Sequence, residues 1–138
     1  MTLRVPAPGD AERIVSERDE DSFRWFGRGA GNPAPAACVW AEGELVGWVD
    51  YDRDDGHAWL EPGEVNVGYS LFPAARGKGY ASRAVELLLG HLAGETEHTV
   101  ATLLIHRENT RSLALAQRLG FVQHGEIDGE PFFRRDLG

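Results

Sequence analysis

PAARGKGYA, residues 73–81, sets Gly77 and Gly79, with the cations Arg76 and Lys78, directly ahead of a helical run. Upstream, VNVGYSLF (65–72) places Val65, Val67, Tyr69 and Leu71 on one face, the period of a strand. Downstream, Ala81, Ala84, Val85, Leu88 and Leu92 recur at helical spacing, with Gly94 as the expected stop. The stretch is a strand-to-helix turn. A helix amino terminus leaves N–H groups unpaired and carries roughly half a positive charge, and glycines let a ligand approach those groups. The turn reads as a phosphate site, with Arg76, Lys78 and Arg83 adding positive charge.

On either side the chain alternates strands and helices. LRVPA suggests a first strand, and Asp10 is the expected cap of a helix to about Arg18 with Ile14 and Val15 inward. SFRWFGRGAGNPAPAA reads as a packed loop with a short helical start, while ACVWA and LVGWVDY form a hairpin around Gly43. TVATLLI is an apolar run expected to be a strand buried on both faces. A second helix follows, with Ser112, Leu115, Ala116 and Leu119 aligned and Gly120 closing it. FVQHG and FFRRDL end the chain as strands around an EIDGEP turn. The expectation is an α/β (α+β) fold: a mixed, mostly antiparallel sheet flanked by helices, in a single domain over residues 1–138.

Composition removes several function classes. The net charge of −8 argues against nucleic acid, whose binding needs clustered Lys and Arg. All the excess negative charge lies in residues 1–64, as expected of a solvated surface or of a face that meets a cationic substrate. There is no signal-like leader and no run long enough to span a membrane, so a soluble, cytoplasmic protein is expected. Cys38 is the only cysteine and sits in an apolar strand, which leaves neither a disulfide nor a zinc cluster; no metal is expected. Two other phosphate loops do not fit. A P-loop would need Gly at Phe72 and a hydroxyl at Gly79, and the dinucleotide pattern meets Ser82 where it needs glycine.

Arg76-x-x-Gly79-x-Ala81 resembles the pyrophosphate motif of the GNAT superfamily of N-acetyltransferases. Asn109-x-x-Ser112 with Leu119-Gly120-Phe121 is similar to that superfamily's next helix, most of all in the branch that acetylates ribosomal-protein amino termini. The resemblance implies a GNAT-like fold with acetyl-coenzyme A as cosubstrate and an amine as acceptor. By the same resemblance, Gly77, Lys78, Gly79, Tyr80 and Ala81 hold the pyrophosphate together with Arg76, while Leu71 and Phe72 pair with the pantetheine arm. Asn109 then holds that arm or caps its helix. Ser112 is the implied acid for the departing thiolate, since the tyrosine common elsewhere in the superfamily is replaced by Ala116. Asn66 stands where relatives often carry a glutamate base and cannot take a proton. Glu64 on the same face is the substitute favoured over His57, Glu61 and His106. Weak base assistance suits an amine of low pKa, such as a protein α-amine. A polyamine or aminoglycoside acceptor, and a non-catalytic acyl-coenzyme A-binding module, stay open, as does a homodimer. Phe23, Trp25, Phe26, Trp48 and Trp59 are candidates for core or for an acceptor pocket.

Overall fold

The computed structural model describes residues 1–138. Seven strands and four helices follow in order: β1 (Thr2–Arg4), α1 (Asp10–Ser16), α2 (Glu20–Phe26), β2 (Ala37–Ala41), β3 (Glu44–Asp52), β4 (Glu64–Leu71), α3 (Tyr80–Glu95), β5 (Val100–Leu104), α4 (Thr110–Arg118), β6 (Val122–Ile127) and β7 (Glu130–Asp136). The strands form one mostly antiparallel sheet, ordered β1-β2-β3-β4-β5-β7-β6, with β4 and β5 its parallel pair. No helix is long and apolar enough to cross a membrane. The chain divides into two compact units, residues 1–50 with 69–85 and residues 51–68 with 86–138.

In the first unit Ile14, Cys38, Leu45 and Phe72 form a buried cluster against which Trp40 and Trp48 pack. Burial, with Asp10 beside it, pushes the Cys38 thiol up to about 11, so this cysteine is core and not a nucleophile. Asp10 does not cap α1: Gly9 holds the cap position, and the buried Asp10 carboxylate instead accepts the Ala7 N–H at 2.8 Å. The helix ends at Ser16 and turns Val15 outward, because seven residues give it one buried stripe and Ile14 fills it. α2 is the short helical start expected of the segment at Ser22, beginning two residues earlier and capped by Asp19, whose Oδ1 accepts the Ser22 N–H at 3.0 Å; it buries none of its side chains. One approach between strands is unusually close. A Cβ on Gly47 of β3 would lie 2.2 Å from the Ser70 carbonyl oxygen, so only glycine lets β4 take its present line.

In the second unit α3 buries Leu88, Leu89 and Leu92, continuing one residue past Gly94. β5 pairs with β7 along its whole length but with β4 only from Glu64↔Val100 to Asn66↔Thr102. Ala101, Thr102 and Leu103 are buried in succession, as a strand covered on both faces requires. The last hairpin is tighter than expected, since Glu126↔Pro131 and Ile127↔Glu130 are paired and only Asp128 and Gly129 make the turn. Their positive φ values of 50° and 81° match the twist of the flanking strands.

Candidate active site

β4 delivers the chain to the glycine turn. The Phe72 N–H donates to the Val46 carbonyl at 2.8 Å. Successive residues of a strand direct their amides to opposite edges, so the Leu71 amide is turned away from β3. A 3₁₀ turn over Pro73–Ala75 reverses the chain, and α3 starts at Tyr80. Gly77 and Gly79 both lie in the left-handed region, at φ 78° and 79°. A Cβ on either would meet no protein atom within 4 Å, so the glycines serve the backbone conformation and the space above them is open. Gly77, Lys78 and Gly79 are exposed, and no acidic side chain occupies the first turn of α3 to neutralise its positive end. Lys78 is the chain's only lysine. An open glycine turn, with no acid in the helix turn that follows, fits a phosphate-bearing ligand.

Arg76 is engaged elsewhere. Its Nη1 lies 2.6 Å from Asp19 Oδ2 and its Nη2 3.0 Å from Asp19 Oδ1, with Asp21 at 3.8 Å from Nη1. This two-point grip holds the Asp19 carboxyl far below the usual carboxylate range, with the Ser22 N–H and hydroxyl assisting, and raises Arg76 in turn. The mobile positive charge near the turn is therefore that of Lys78 and Arg83, both exposed.

A cavity of about 230 Å³ in the same unit is lined by Ser70, Leu71 and Phe72 of the β4 end, by Trp48 and Asp50 of β3, and by Phe26 of α2. Ile14, Glu17, Arg18 and the loop carrying Gly29 and Pro33–Pro35 close the remaining wall. Phe26 and Trp48 meet at 5.5 Å between ring centroids. Arg18 is fixed by donating to the Arg28 carbonyl at 3.1 Å, and the Asp50 carboxylate accepts the Ala36 N–H at 3.0 Å. Of the aromatics considered from the sequence, Phe26 and Trp48 line this cavity. Phe23 is half exposed, and Trp59 stacks on His57 at 4.6 Å in the second unit. Asp50 and Glu17 were not singled out by the sequence. Their signal was present in part: the alternation of LVGWVDY puts Trp48 and Asp50 on one strand face.

Glu64, Asn66, Asn109 and Ser112 belong to the second unit. Glu64 is buried, with Arg134 Nε 2.8 Å from its Oε2 and the Glu61 N–H donated to its Oε1 at 2.9 Å. Both oxygens are thus occupied by structural partners. The Thr102 hydroxyl lies 3.0 Å from Asn66 Oδ1 and 3.1 Å from the Val65 carbonyl, tying β4 to β5. Asn109 caps α4, its Oδ1 accepting the Ser112 N–H at 3.3 Å, and this cap leaves the amide's own N–H donors to other partners. Ala116 is wholly buried, leaving no room for a tyrosine hydroxyl. Of the other base candidates, His57 Nε2 lies 2.8 Å from Asp52, His106 Nδ1 accepts the Glu108 N–H at 3.1 Å, and Glu61 is exposed.

A mixed sheet in this strand order, with an open amide turn between β4 and α3, defines an acyl-coenzyme A N-acyltransferase fold. The family description "Acetyltransferase (GNAT) domain" matches residues 1–122, and the chain belongs to that family. It is an acetyl-coenzyme A-dependent N-acetyltransferase. The spermine/spermidine N(1)-acetyltransferase of Bacillus subtilis strain 168 is 30% identical over 109 residues, covering 72% of this chain and 68% of that protein. Among solved structures, aminoglycoside acetyltransferase AAC(6')-Ib in complex with coenzyme A and kanamycin superposes with a TM-score of 0.82 at 19% identity, over 98% of this chain and 94% of that one. A GNAT-family acetyltransferase from Bacillus anthracis gives a TM-score of 0.77 at 20% identity, over 98% and 93%.

Proposed function

We propose that the acceptor is a small polycationic amine, of the polyamine or aminoglycoside kind, bound in the cavity at the end of β4. That cavity is the observation that carries the reading: beside Arg18 it joins Asp50, and a Glu17 already paired with Arg13 at 3.0 Å, to the rings of Phe26 and Trp48, and a carboxylate with aromatic faces attracts an ammonium group on an alkyl or sugar frame. The acceptors named for the Bacillus subtilis relative and for the kanamycin complex are of this class. The expectation of a ribosomal-protein amino terminus rests on the α4 motif and on the low pKa of an α-amine.

In this reading the pyrophosphate of acetyl-coenzyme A lies on the amides of Gly77, Lys78, Gly79, Tyr80 and Ala81, near Lys78 and Arg83. Its pantetheine arm runs along Leu71 and Phe72. The neutral acceptor nitrogen attacks the thioester carbon, the carbon–sulfur bond breaks, Ser112 gives a proton to the departing thiolate directly or through water, and the proton shed by the nitrogen returns through water to the Ser112 oxygen. The Leu71 amide, directed away from β3, is suited to the developing oxyanion. An alkylammonium of pKa ~10.4 needs about 4.6 kcal/mol to become neutral at pH 7, against about 1.4 for an α-amine near pKa ~8. For a polyamine part of that difference is offset by its neighbouring charges, which lower the pKa of each amine. Glu64 serves this chemistry only if it first leaves Arg134, whereas Asp50 already lines the acceptor cavity.

Thiol release from acetyl-coenzyme A with spermine, spermidine, kanamycin and a short peptide bearing a free α-amine tests the reading. The expected order places a polyamine or kanamycin first by kcat/KM. Turnover of the peptide alone would move the acceptor to protein amino termini. Coenzyme A binding with no turnover of any amine would leave a binding module.

A further inference from the structure

α2 is a helix with little to hold it. Seven residues are too few for stability in isolation, and none of its side chains is buried. Contacts at both of its ends tie it to the rest of the unit. At the first, Asp19 caps the helix and grips Arg76 at 2.6 and 3.0 Å. At the last, Phe26 leans on Trp48 at 5.5 Å. Between them Ser22, with Phe26, lines the acceptor cavity. Arg76 immediately precedes Gly77, so the guanidinium that anchors this cavity wall belongs to the segment on which the pyrophosphate is expected to rest.

We propose that Asp19 is a positioning residue which, by holding Arg76, couples the phosphate turn to the acceptor cavity, so that a bound coenzyme A orders α2 and prepares the cavity for the amine. The inference rests on the phosphate-turn reading. The turn has room to respond, since a Cβ on Gly77 or Gly79 would touch nothing. Local segments with few buried contacts open at low free energy and close when a neighbour is fixed. By reciprocity, an amine in the cavity strengthens the hold on coenzyme A by the same factor. Arg76 on this view transmits the ligand's presence and is not itself a phosphate ligand.

Amide hydrogen exchange with coenzyme A as the probe reads this directly. In the unaltered protein, saturating coenzyme A should slow exchange over residues 77–81 and over α2, the latter by about fivefold or more. Asp19→Asn keeps a capping side chain but loses the charged grip, and should leave the response of 77–81 while abolishing that of α2. Arg76→Lys keeps charge without the two-pronged fork and should do the same, which guards against a fold defect peculiar to one variant. In turnover at saturating acetyl-coenzyme A, Asp19→Asn should raise the KM for spermine by about fivefold, while coenzyme A affinity measured without amine changes by less than about twofold. An α2 response that persists undiminished in both variants overturns the proposal. So does a silent α2 in the unaltered protein when 77–81 responds; silence at both places removes the phosphate-turn reading first.

Discussion

Gly79 combines a left-handed backbone with open space above it, so a side chain there both strains the turn and fills the space proposed for the ligand. Gly79→Val is expected to weaken coenzyme A binding by about tenfold or more, from backbone strain of roughly 1–2 kcal/mol and a methyl pair intruding on the amide cradle. Calorimetry on folded protein checks it, and unchanged affinity would refute the site. Gly47 presents the opposite case, because the atom that a Cβ would strike is backbone. Gly47→Ala should lower stability by about 1–3 kcal/mol and reduce turnover, as β4 moves away at Ser70 and Leu71; thermal melting and steady-state kinetics together read this. Ser112→Ala should lower kcat by roughly a hundredfold with little change in acetyl-coenzyme A affinity, and wild-type turnover would remove Ser112 as the acid. The glycines of the turn were legible because their chemistry is local. Asp50 and Glu17 were not, since the cavity draws its walls from α1, α2, β3 and β4, and nothing in the sequence brings those segments together.

At the scale of elements, β4 divides its roles along its length. Its first residues are locked: Glu64 by Arg134, and Asn66 by Thr102. Glu64→Gln therefore tests structure against catalysis. The expected outcome is a loss of about 1–3 kcal/mol by denaturant unfolding, as Arg134 loses its nearer counter-charge and keeps only the exposed Glu61 at 3.7 Å, with kcat kept within about threefold. A large fall in kcat with unchanged stability would restore Glu64 as the base. The strands and long helices were readable because each carries an uninterrupted period, of 2 in β4 and of 3.6 in α3. α2 was legible only as a short helical start, for the complementary reason. A helix that buries nothing has no apolar stripe, and its one local signal, Asp19 three residues before Ser22, lies in a segment otherwise crowded with loop-forming residues. The grip of Asp19 on Arg76 spans 57 positions and joins residues of opposite sign that many other pairings would also satisfy.

Across the whole molecule, charge is unevenly placed. Residues 1–64 contain 14 acids and 6 bases, whereas residues 65–138 contain 8 of each. Two of those early acids, Glu17 and Asp50, line the cavity proposed for the acceptor, and the turn proposed for the pyrophosphate is in the later, balanced part. A field of this kind raises the local concentration of a polycation and is screened by salt. Raising ionic strength from about 50 to about 200 mM should therefore raise the KM for spermine by roughly three- to tenfold. A KM for spermine that does not move would separate the acidic half from acceptor capture.

With Lys78 alone among the cations in bearing a primary amine, the remaining 13 are guanidinium groups, which are non-nucleophilic at neutral pH. An activated thioester slowly acylates lysines on whatever protein carries it. This chain offers its own reagent a single side-chain target, at the place a docked nucleotide would shield. The catalyst is thereby largely spared from becoming its own substrate.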